Sequence, residues 1–166
     1  MLAALVLAGV ALTGCSLRGN GKAGLVTPTP KLVGDRTEIN RGEAGDQIVG
    51  NYRIYDKQRY ERAKSEGKGV LLYFYANWCP TCRVQEPIVE EVFSALVADE
   101  RVVGFSVNYN DSDTTPDGKE LAMQTGVTYQ HTFIVLGRDG EEAWRLVGDW
   151  GKEEMISFLR GLGEGR

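Results

Sequence analysis

Two cysteines, Cys79 and Cys82, lie two residues apart in the sequence Trp-Cys-Pro-Thr-Cys. The run Gly69 to Ala76 before them is continuously apolar, as a buried central strand requires, and a helical apolar pattern follows them. At a helix N-terminus, unpaired N–H groups and the positive end of the helix dipole lower the pKa of a thiol and favour its thiolate. Two intervening residues also bring the sulfurs within disulfide reach in the first helical turn. The pattern indicates thiol–disulfide chemistry.

The alternative for a single Cys-x-x-Cys is half of a structural zinc site. Only one further cysteine, Cys15, and one histidine, His131, occur in the chain, so no second ligand pair exists. The composition is that of a globular protein, with 42% apolar and 25% charged residues. Nineteen basic against 23 acidic residues give a net charge of -4 and no basic stripe, so nucleic acid is not an expected partner.

The N-terminus indicates export. Residues 1–14 carry no charge and are too few to span a membrane as a helix, which is typical of the apolar region of a signal peptide. The sequence Leu-Thr-Gly-Cys ending at Cys15 resembles the lipobox of bacterial lipoproteins, although the usual basic start is absent. The resemblance implies cleavage before Cys15, lipidation of its thiol and a lipid-anchored, extracytoplasmic protein of the cell envelope. The alternative is a buried N-terminal segment with a chance cysteine.

Three regions are predicted along the chain. Residues 1–14 form the signal peptide, and residues 15–50, rich in Gly, Thr and Pro, form a flexible tether or, alternatively, a partly ordered arm. Residues 51–166 form the folded domain. Apolar periodicity there predicts a helix followed by the order β-α-β-α-β-β-α, with the last two strands as a hairpin. That order predicts an α/β fold, a central mixed β-sheet flanked by helices on both faces.

Trp-Cys-x-x-Cys at a strand-to-helix junction resembles the active-site motif of the thioredoxin fold. Pro87, five residues after the second cysteine, stands where that family kinks the helix, and the resemblance covers about Tyr55 to Leu162. The dipeptide Pro80-Thr81 is similar to that of the thioredoxins of cytochrome c maturation. Because this dipeptide replaces the usual Gly-Pro of thioredoxin, efficient reduction of proteins in general is not expected.

The resemblance implies a protein-disulfide oxidoreductase. Cys79 would attack a disulfide of a client protein, Cys82 would resolve the mixed disulfide, and the redox disulfide would join these two residues. Trp78, Pro80, Thr81 and His131 would line the site. No cofactor is implied, because the electrons reside in the two sulfurs. The implied partners are client proteins with disulfides or thiols, the membrane through the lipid anchor, and a membrane electron donor or acceptor.

Two positions depart from the family pattern. His131 stands where thioredoxins have a cis-proline, so a cis bond is not expected there without proline. Tyr73, six residues before Cys79, stands where thioredoxins commonly bury an acid that manages the proton of the resolving thiol. The sequence therefore leaves the proton relay unidentified.

Three roles are possible for His131. Near Cys79, an imidazolium would stabilise the thiolate and make the pair more oxidising. A neutral His131 with Cys79 and Cys82 would instead offer an S₂N donor set for copper or zinc, similar in outline to the Sco-type copper chaperones, which use a longer cysteine spacing. The third possibility is a structural role, in which His131 fills a loop. Metal handling by the same fold is therefore the competing function. A third possible function is binding of partner proteins without redox chemistry.

Other prominent residues are expected to be structural. Asp111, Asp113 and Asp117 make an acidic loop that lacks the pattern of a calcium site and is expected to be solvated surface. Trp144 and Trp150 are expected to pack at the hairpin and at the start of the last helix.

Overall fold

The computed structural model describes residues 47–164 of the chain. The signal peptide predicted at residues 1–14, the lipidation site Cys15 and the predicted tether up to residue 46 lie outside the described residues. Residues 47–49 already form a strand, so the sheet includes residues before the domain boundary predicted at 51. Within residues 47–164, no helix is both long enough and apolar enough to cross a membrane.

Six strands form one sheet in the order β1-β2-β4-β3-β5-β6. The pairs β2–β4 and β3–β4 are parallel, whereas β1–β2, β3–β5 and β5–β6 are antiparallel. The sheet is therefore mixed, as the sequence predicts. The strands are β1 (Gln47–Val49), β2 (Tyr52–Ile54), β3 (Gly69–Tyr75), β4 (Val102–Asn108), β5 (Thr132–Leu136) and β6 (Glu142–Val147).

Four helices cover the two faces of this sheet: α1 (Lys57–Ser65), α2 (Pro80–Ala95), α3 (Pro116–Gln124) and α4 (Lys152–Gly163). Alternate residues of β3 enter two separate apolar clusters, because successive side chains of a strand point to opposite faces. Leu71 and Tyr73 pack with side chains of α2 and α4, and Leu72 packs with side chains of α1 and α3. The prediction of helices on both faces is confirmed.

Glycine is required at one buried point of β4. A β-carbon on Gly104 would come within 2.4 Å of the Phe93 ring and 2.8 Å of the Tyr52 ring. These two rings stack with centroids 5.2 Å apart, and their stacking packs α2 against β2.

The strand order brings two distant segments to the same end of the sheet. Strand β3 leads through a short loop into α2, which begins immediately after Cys79. Strand β5 runs antiparallel to β3, with Thr132 opposite Phe74 and Phe133 opposite Tyr73. His131, one residue before β5, therefore lies at the end of the sheet where β3 delivers the cysteines.

Candidate active site

Cys79 and Cys82 form a disulfide at the N-terminus of α2. Cys79 is the N-cap residue, and its Sγ accepts a hydrogen bond from the backbone N–H of Cys82 over 3.3 Å. Pro80 opens the helix, where its missing N–H leaves no hydrogen bond unmade. Both cysteines are buried. The backbone thus directs an N–H group at the sulfur of Cys79, as the sequence predicts for a thiolate-stabilising position.

Trp78, which precedes the cysteine pair, and Thr81, which lies between the two cysteines, line this disulfide. The Trp78 side chain is 52% exposed, and its indole N–H donates to the carbonyl of Asn110 over 3.0 Å. The Thr81 hydroxyl lies 3.3 Å from Sγ of Cys79. Since a sulfur in a disulfide carries no hydrogen, the hydroxyl is the donor of this bond. Trp78 therefore presents an exposed apolar surface beside the redox pair.

The acidic loop that the sequence analysis assigned to solvated surface holds the active-site loop in place. Asp111 Oδ2 accepts hydrogen bonds from the backbone N–H of Asn77 (2.7 Å) and from Nδ2 of Asn108 (3.0 Å). Asp113 Oδ2 accepts from Nδ2 of Asn77 over 2.7 Å. The two contacts to Asn77 join residues 34 and 36 positions apart, so spacing along the chain gave no signal of them. Asp111 and Asp113 are thus site-positioning residues that sequence reasoning missed.

His131 is buried, and its backbone has a φ of 61°. This left-handed conformation is uncommon for residues other than glycine, and no peptide bond among residues 47–164 is cis. The carbonyl of His131 accepts a hydrogen bond from the N–H of Gly148 over 2.9 Å. In place of the family's cis-proline turn, the segment thus has a trans, left-handed turn that is hydrogen-bonded to the residue after β6.

Both ring nitrogens of His131 are engaged. Nε2 lies 3.0 Å from Oδ1 of Asp149, and Nδ1 lies 3.1 Å from the hydroxyl of Tyr73. A carboxylate only accepts, so Nε2 carries a proton and donates it to Asp149. In the neutral ring, Nδ1 is then the acceptor, and the Tyr73 hydroxyl donates to it.

The three side chains of Cys79, Cys82 and His131 converge. Their two sulfur atoms and one ring nitrogen of His131 all lie within 4.8 Å of one another, and all three residues are buried. Burial excludes the bulk of the solvent, which strengthens the electrostatic effect of the imidazole on either sulfur. The structure therefore brings together the three residues that the sequence analysis singled out for chemistry.

A second contact positions the loop that carries Asp149. The side-chain amide of Gln85 donates to the carbonyl of Trp150 (2.9 Å) and accepts from its N–H (3.0 Å). Trp150 is buried and packs edge-on against Phe133 and Phe158, in line with its expected structural role. Helix α2 therefore fixes both the disulfide and the loop opposite it.

A buried acid also lies on α2. Glu86, one helical turn after Cys82, is 2% exposed. Its Oε1 accepts hydrogen bonds from the Tyr52 hydroxyl over 3.2 Å and from the Ser106 hydroxyl over 3.3 Å. The spacing of four residues from Cys82 is the available sequence signal for Glu86, and the sequence analysis did not use it.

The geometry agrees with comparisons to known proteins. The thioredoxin family model matches residues 52–161. A thioredoxin of Mycobacterium bovis is 35% identical over 95 residues, which cover 57% of this chain and 74% of that protein. The thiol:disulfide interchange protein DsbD of Pseudomonas fluorescens is 31% identical over 94 residues, which cover 54% of this chain and 15% of that protein. The crystal structure of Trxlp from Edwardsiella tarda superposes with a TM-score of 0.54 at 30% identity, covering 65% of this chain and 97% of that one.

Proposed function

The chain belongs to the thioredoxin family, and on that premise we propose that it reduces disulfides of client proteins outside the cytoplasm, from a lipid anchor in the cell envelope. Thiol–disulfide oxidoreductase activity itself follows from the family and from the Cys79–Cys82 disulfide. The proposal adds the direction of electron flow, the location and the role of each cysteine.

The observation that carries the proposal is the position of Cys79 as the N-cap of α2, with its sulfur accepting the N–H of Cys82. An anionic sulfur at this position is stabilised by that N–H and by the helix dipole, whereas Cys82 lies inside the first turn. Cys79 is therefore the nucleophile and Cys82 the resolving thiol. Trp78, Pro80, Thr81 and His131 line the site, with the exposed Trp78 ring as the apolar contact for a client chain.

The location is supported by the lipobox resemblance at Cys15 and by the apolar residues 1–14. Envelope compartments permit disulfides, so a redox pair there has substrates. Metabolic labelling with a radioactive fatty acid tests the anchor. We expect label on the wild-type protein and none on Cys15→Ser, which should also leave the membrane fraction. Equal labelling of both proteins would contradict the anchor.

The reducing direction is supported by the Pro80-Thr81 dipeptide, which is similar to that of the thioredoxins of cytochrome c maturation. A reductant must itself be reduced after each turnover, so the proposal includes a membrane-bound thiol or disulfide partner as electron donor.

Metal handling by Cys79, Cys82 and His131 is the competing hypothesis, and the 4.8 Å spread of their donor atoms is what favours it. Both nitrogens of His131 are already hydrogen-bonded, so an ion could reach the ring only by displacing the Tyr73 hydroxyl or Asp149. We therefore propose exchange chemistry for this site. Elemental analysis of the reduced, untagged protein distinguishes the two: a stoichiometric copper or zinc content would favour the metal-handling module.

Trapping of mixed disulfides tests the function. The variant Cys82→Ser lacks the resolving thiol, so Cys79 should remain covalently joined to client proteins in cell-envelope extracts. Cys79→Ser is the matched control, because it retains one thiol in the same helix. We expect reducible adducts with Cys82→Ser and few with Cys79→Ser. Absence of adducts in both variants would contradict the proposal and favour a fold that only binds partners.

A further inference from the structure

His131 is a buried titratable group that the cysteine chemistry described above does not use. It is held in a left-handed backbone conformation at φ 61°, within 4.8 Å of both sulfurs. Packing alone does not explain a histidine here, because both of its nitrogens find specific polar partners on two different elements. This arrangement places the His131 imidazole, a potential base, beside the two cysteines.

We propose that His131 is the base that accepts the proton of the Cys82 thiol during resolution of the mixed disulfide, with Asp149 and Tyr73 as its positioning residues. This inference rests on the proposed function, since it concerns the second step of the same exchange. It supplies the proton relay that the absence of an acid at position 73 left open.

The two partners of the ring fix its protonation chemistry. Asp149 holds the proton on Nε2, so the site of proton gain and loss is Nδ1. The Tyr73 hydroxyl can donate to a neutral Nδ1 and can accept from a protonated one. The ring can therefore keep both hydrogen-bonding partners in its neutral and in its protonated state.

Asp149 also connects the interior to solvent. Its side chain is 81% exposed, whereas that of His131 is 10% exposed. Two sets of hydrogen bonds fix the loop that carries Asp149. One is the bond from Gly148 N–H to the His131 carbonyl, and the other is the pair of bonds between the Gln85 side-chain amide and the Trp150 backbone. The carboxylate thus stabilises a positive ring from the solvent side.

The Cys79 thiolate attacks a client disulfide, forms the mixed disulfide and releases one client thiolate. The Tyr73 hydroxyl then gives up its hydrogen bond to Nδ1 of His131. The Cys82 thiol gives its proton to that nitrogen, and the Cys82 thiolate attacks Sγ of Cys79. The Cys79–Cys82 bond forms as the bond from Cys79 to the client sulfur breaks, so the client gains two electrons and the second client sulfur leaves as a thiolate. The proton passes from His131 to that thiolate or to water.

Other titratable groups lie at this cluster or on the helix that carries the resolving thiol. Tyr73 comes from β3 and Asp149 from the loop before α4, while Cys79 caps α2 and Cys82 lies in its first turn. Helix α2 also carries Glu86, which is buried one turn after Cys82 and hydrogen-bonded to Tyr52 and Ser106. Glu86 is therefore the rival base against which His131 must be tested.

His131→Gly is the direct test, because glycine adopts a φ near 60° without strain and leaves a space for free imidazole. The full-length chain carrying Cys15→Ser is reduced and mixed with a small aromatic disulfide, and the formation of the Cys79–Cys82 bond is followed by stopped flow from pH 5 to 9. A positioned base contributes about 10²-fold or more to such a step, so we expect a loss of that order at pH 7. Added imidazole should restore part of the rate.

The pH profile separates a base from a structural role. The wild-type rate should level off below the ordinary thiol pKa of about 8.5, whereas the rate of His131→Gly should keep rising about tenfold per pH unit up to that value. Asp149→Asn should move the plateau and lower it. Glu141→Gln, at the opposite, exposed end of the β5–β6 hairpin, is the matched control and should retain the wild-type profile.

Two results would overturn the inference. One is an unchanged pH profile in both His131→Gly and Asp149→Asn while the wild-type protein exchanges normally. The other is loss of the plateau in Glu86→Gln with retention of it in His131→Gly, which would assign the proton to Glu86. If the wild-type protein forms no Cys79–Cys82 bond at all, the proposed function itself fails, and the two failures are thereby distinguished.

Discussion

The hydroxyl of Tyr73 lies 3.1 Å from Nδ1 of His131, although the two residues are 58 positions apart in the chain. Tyr73 is completely buried in β3 and stacks on Phe133 with ring centroids 4.4 Å apart. The hydrogen bond therefore joins β3, which lies beneath the disulfide, to the loop before β5, which faces it. Both residues depart from the thioredoxin pattern, and the structure shows that the two departures contact each other.

Tyr73→Phe should lower the stability of the protein while leaving the aromatic stack intact. The change removes the donor to Nδ1 of a buried ring, and an unsatisfied buried polar group costs about 1–3 kcal/mol. Denaturant unfolding of the oxidised protein measures the loss. The control is Tyr129→Phe, because the Tyr129 side chain is 67% exposed and its change should be close to neutral. Equal stabilities of the two variants would show that the Tyr73 hydroxyl contributes nothing.

Asp111→Asn should loosen the active-site loop. The Asp111 carboxylate accepts from the Asn77 backbone and the Asn108 side chain through Oδ2, and from the Asp113 backbone N–H through Oδ1. An amide in its place brings a donor against the N–H groups on one of these two oxygens. We expect a loss of about 1–2 kcal/mol in unfolding free energy, together with a change in Trp78 fluorescence. Asp113→Asn removes a more exposed contact to the same loop and should cost less. The reverse order would contradict this assignment.

Asp99 should make a pH-dependent contribution to stability. Hydrogen bonds from Arg101 lower the pKa of Asp99 below its ordinary value of 3.8. A carboxyl group with a lowered pKa in the folded state stabilises that state above the unfolded value, and the stabilisation is lost as the pH falls through the folded value. Asp99→Asn should therefore cost about 0.5–1 kcal/mol at pH 7, a range that allows for the exposed arginine. Unfolding curves at pH 7 and pH 3 should show this cost shrink in acid; an equal cost at both would contradict it.

Proline at position 131 would not simply restore the family residue. Proline fixes φ near -65°, whereas His131 has a φ of 61°. His131→Pro would therefore change the backbone as well as remove the imidazole, and a shift in reduction potential could not be assigned to the ring alone. His131→Asn is the better variant for the potential, since asparagine tolerates this conformation. If the imidazole favours the thiolate of Cys79, His131→Asn should lower the reduction potential in a glutathione titration; an unchanged potential would contradict that role.

The sequence analysis predicted most of the sheet and the centre of the site, because both depend on local patterns. Strand β3 lies within the apolar run Gly69 to Ala76 that was predicted as a buried strand, and β5 and β6 pair as the predicted hairpin. Strands β1 and β2 were not predicted, since three residues each are too few for an apolar period. The cysteine pair was predicted for the same reason as the long strands: its signal lies within four consecutive residues.

The remainder of the site depends on contacts across long stretches of chain. The Tyr73–His131–Asp149 chain joins three segments, and its register follows from the antiparallel pairing of β3 with β5 and of β5 with β6. Asp149 carried no signal in the sequence, because a single acid in a loop is usually solvated. Only the folded backbone shows that it faces the imidazole.

The central claim is that Cys79 and Cys82 exchange electrons reversibly as a reducing pair, and a redox titration tests it most directly. The full-length chain carrying Cys15→Ser would be equilibrated in metal-free glutathione or dithiothreitol buffers, with Trp78 fluorescence and thiol alkylation as readouts. The account predicts one two-electron transition with a midpoint near the roughly -270 mV of thioredoxin. A midpoint near roughly -120 mV, as in a strong oxidant, would contradict the reducing direction. Failure to form any reversible disulfide between the two cysteines would contradict the account as a whole.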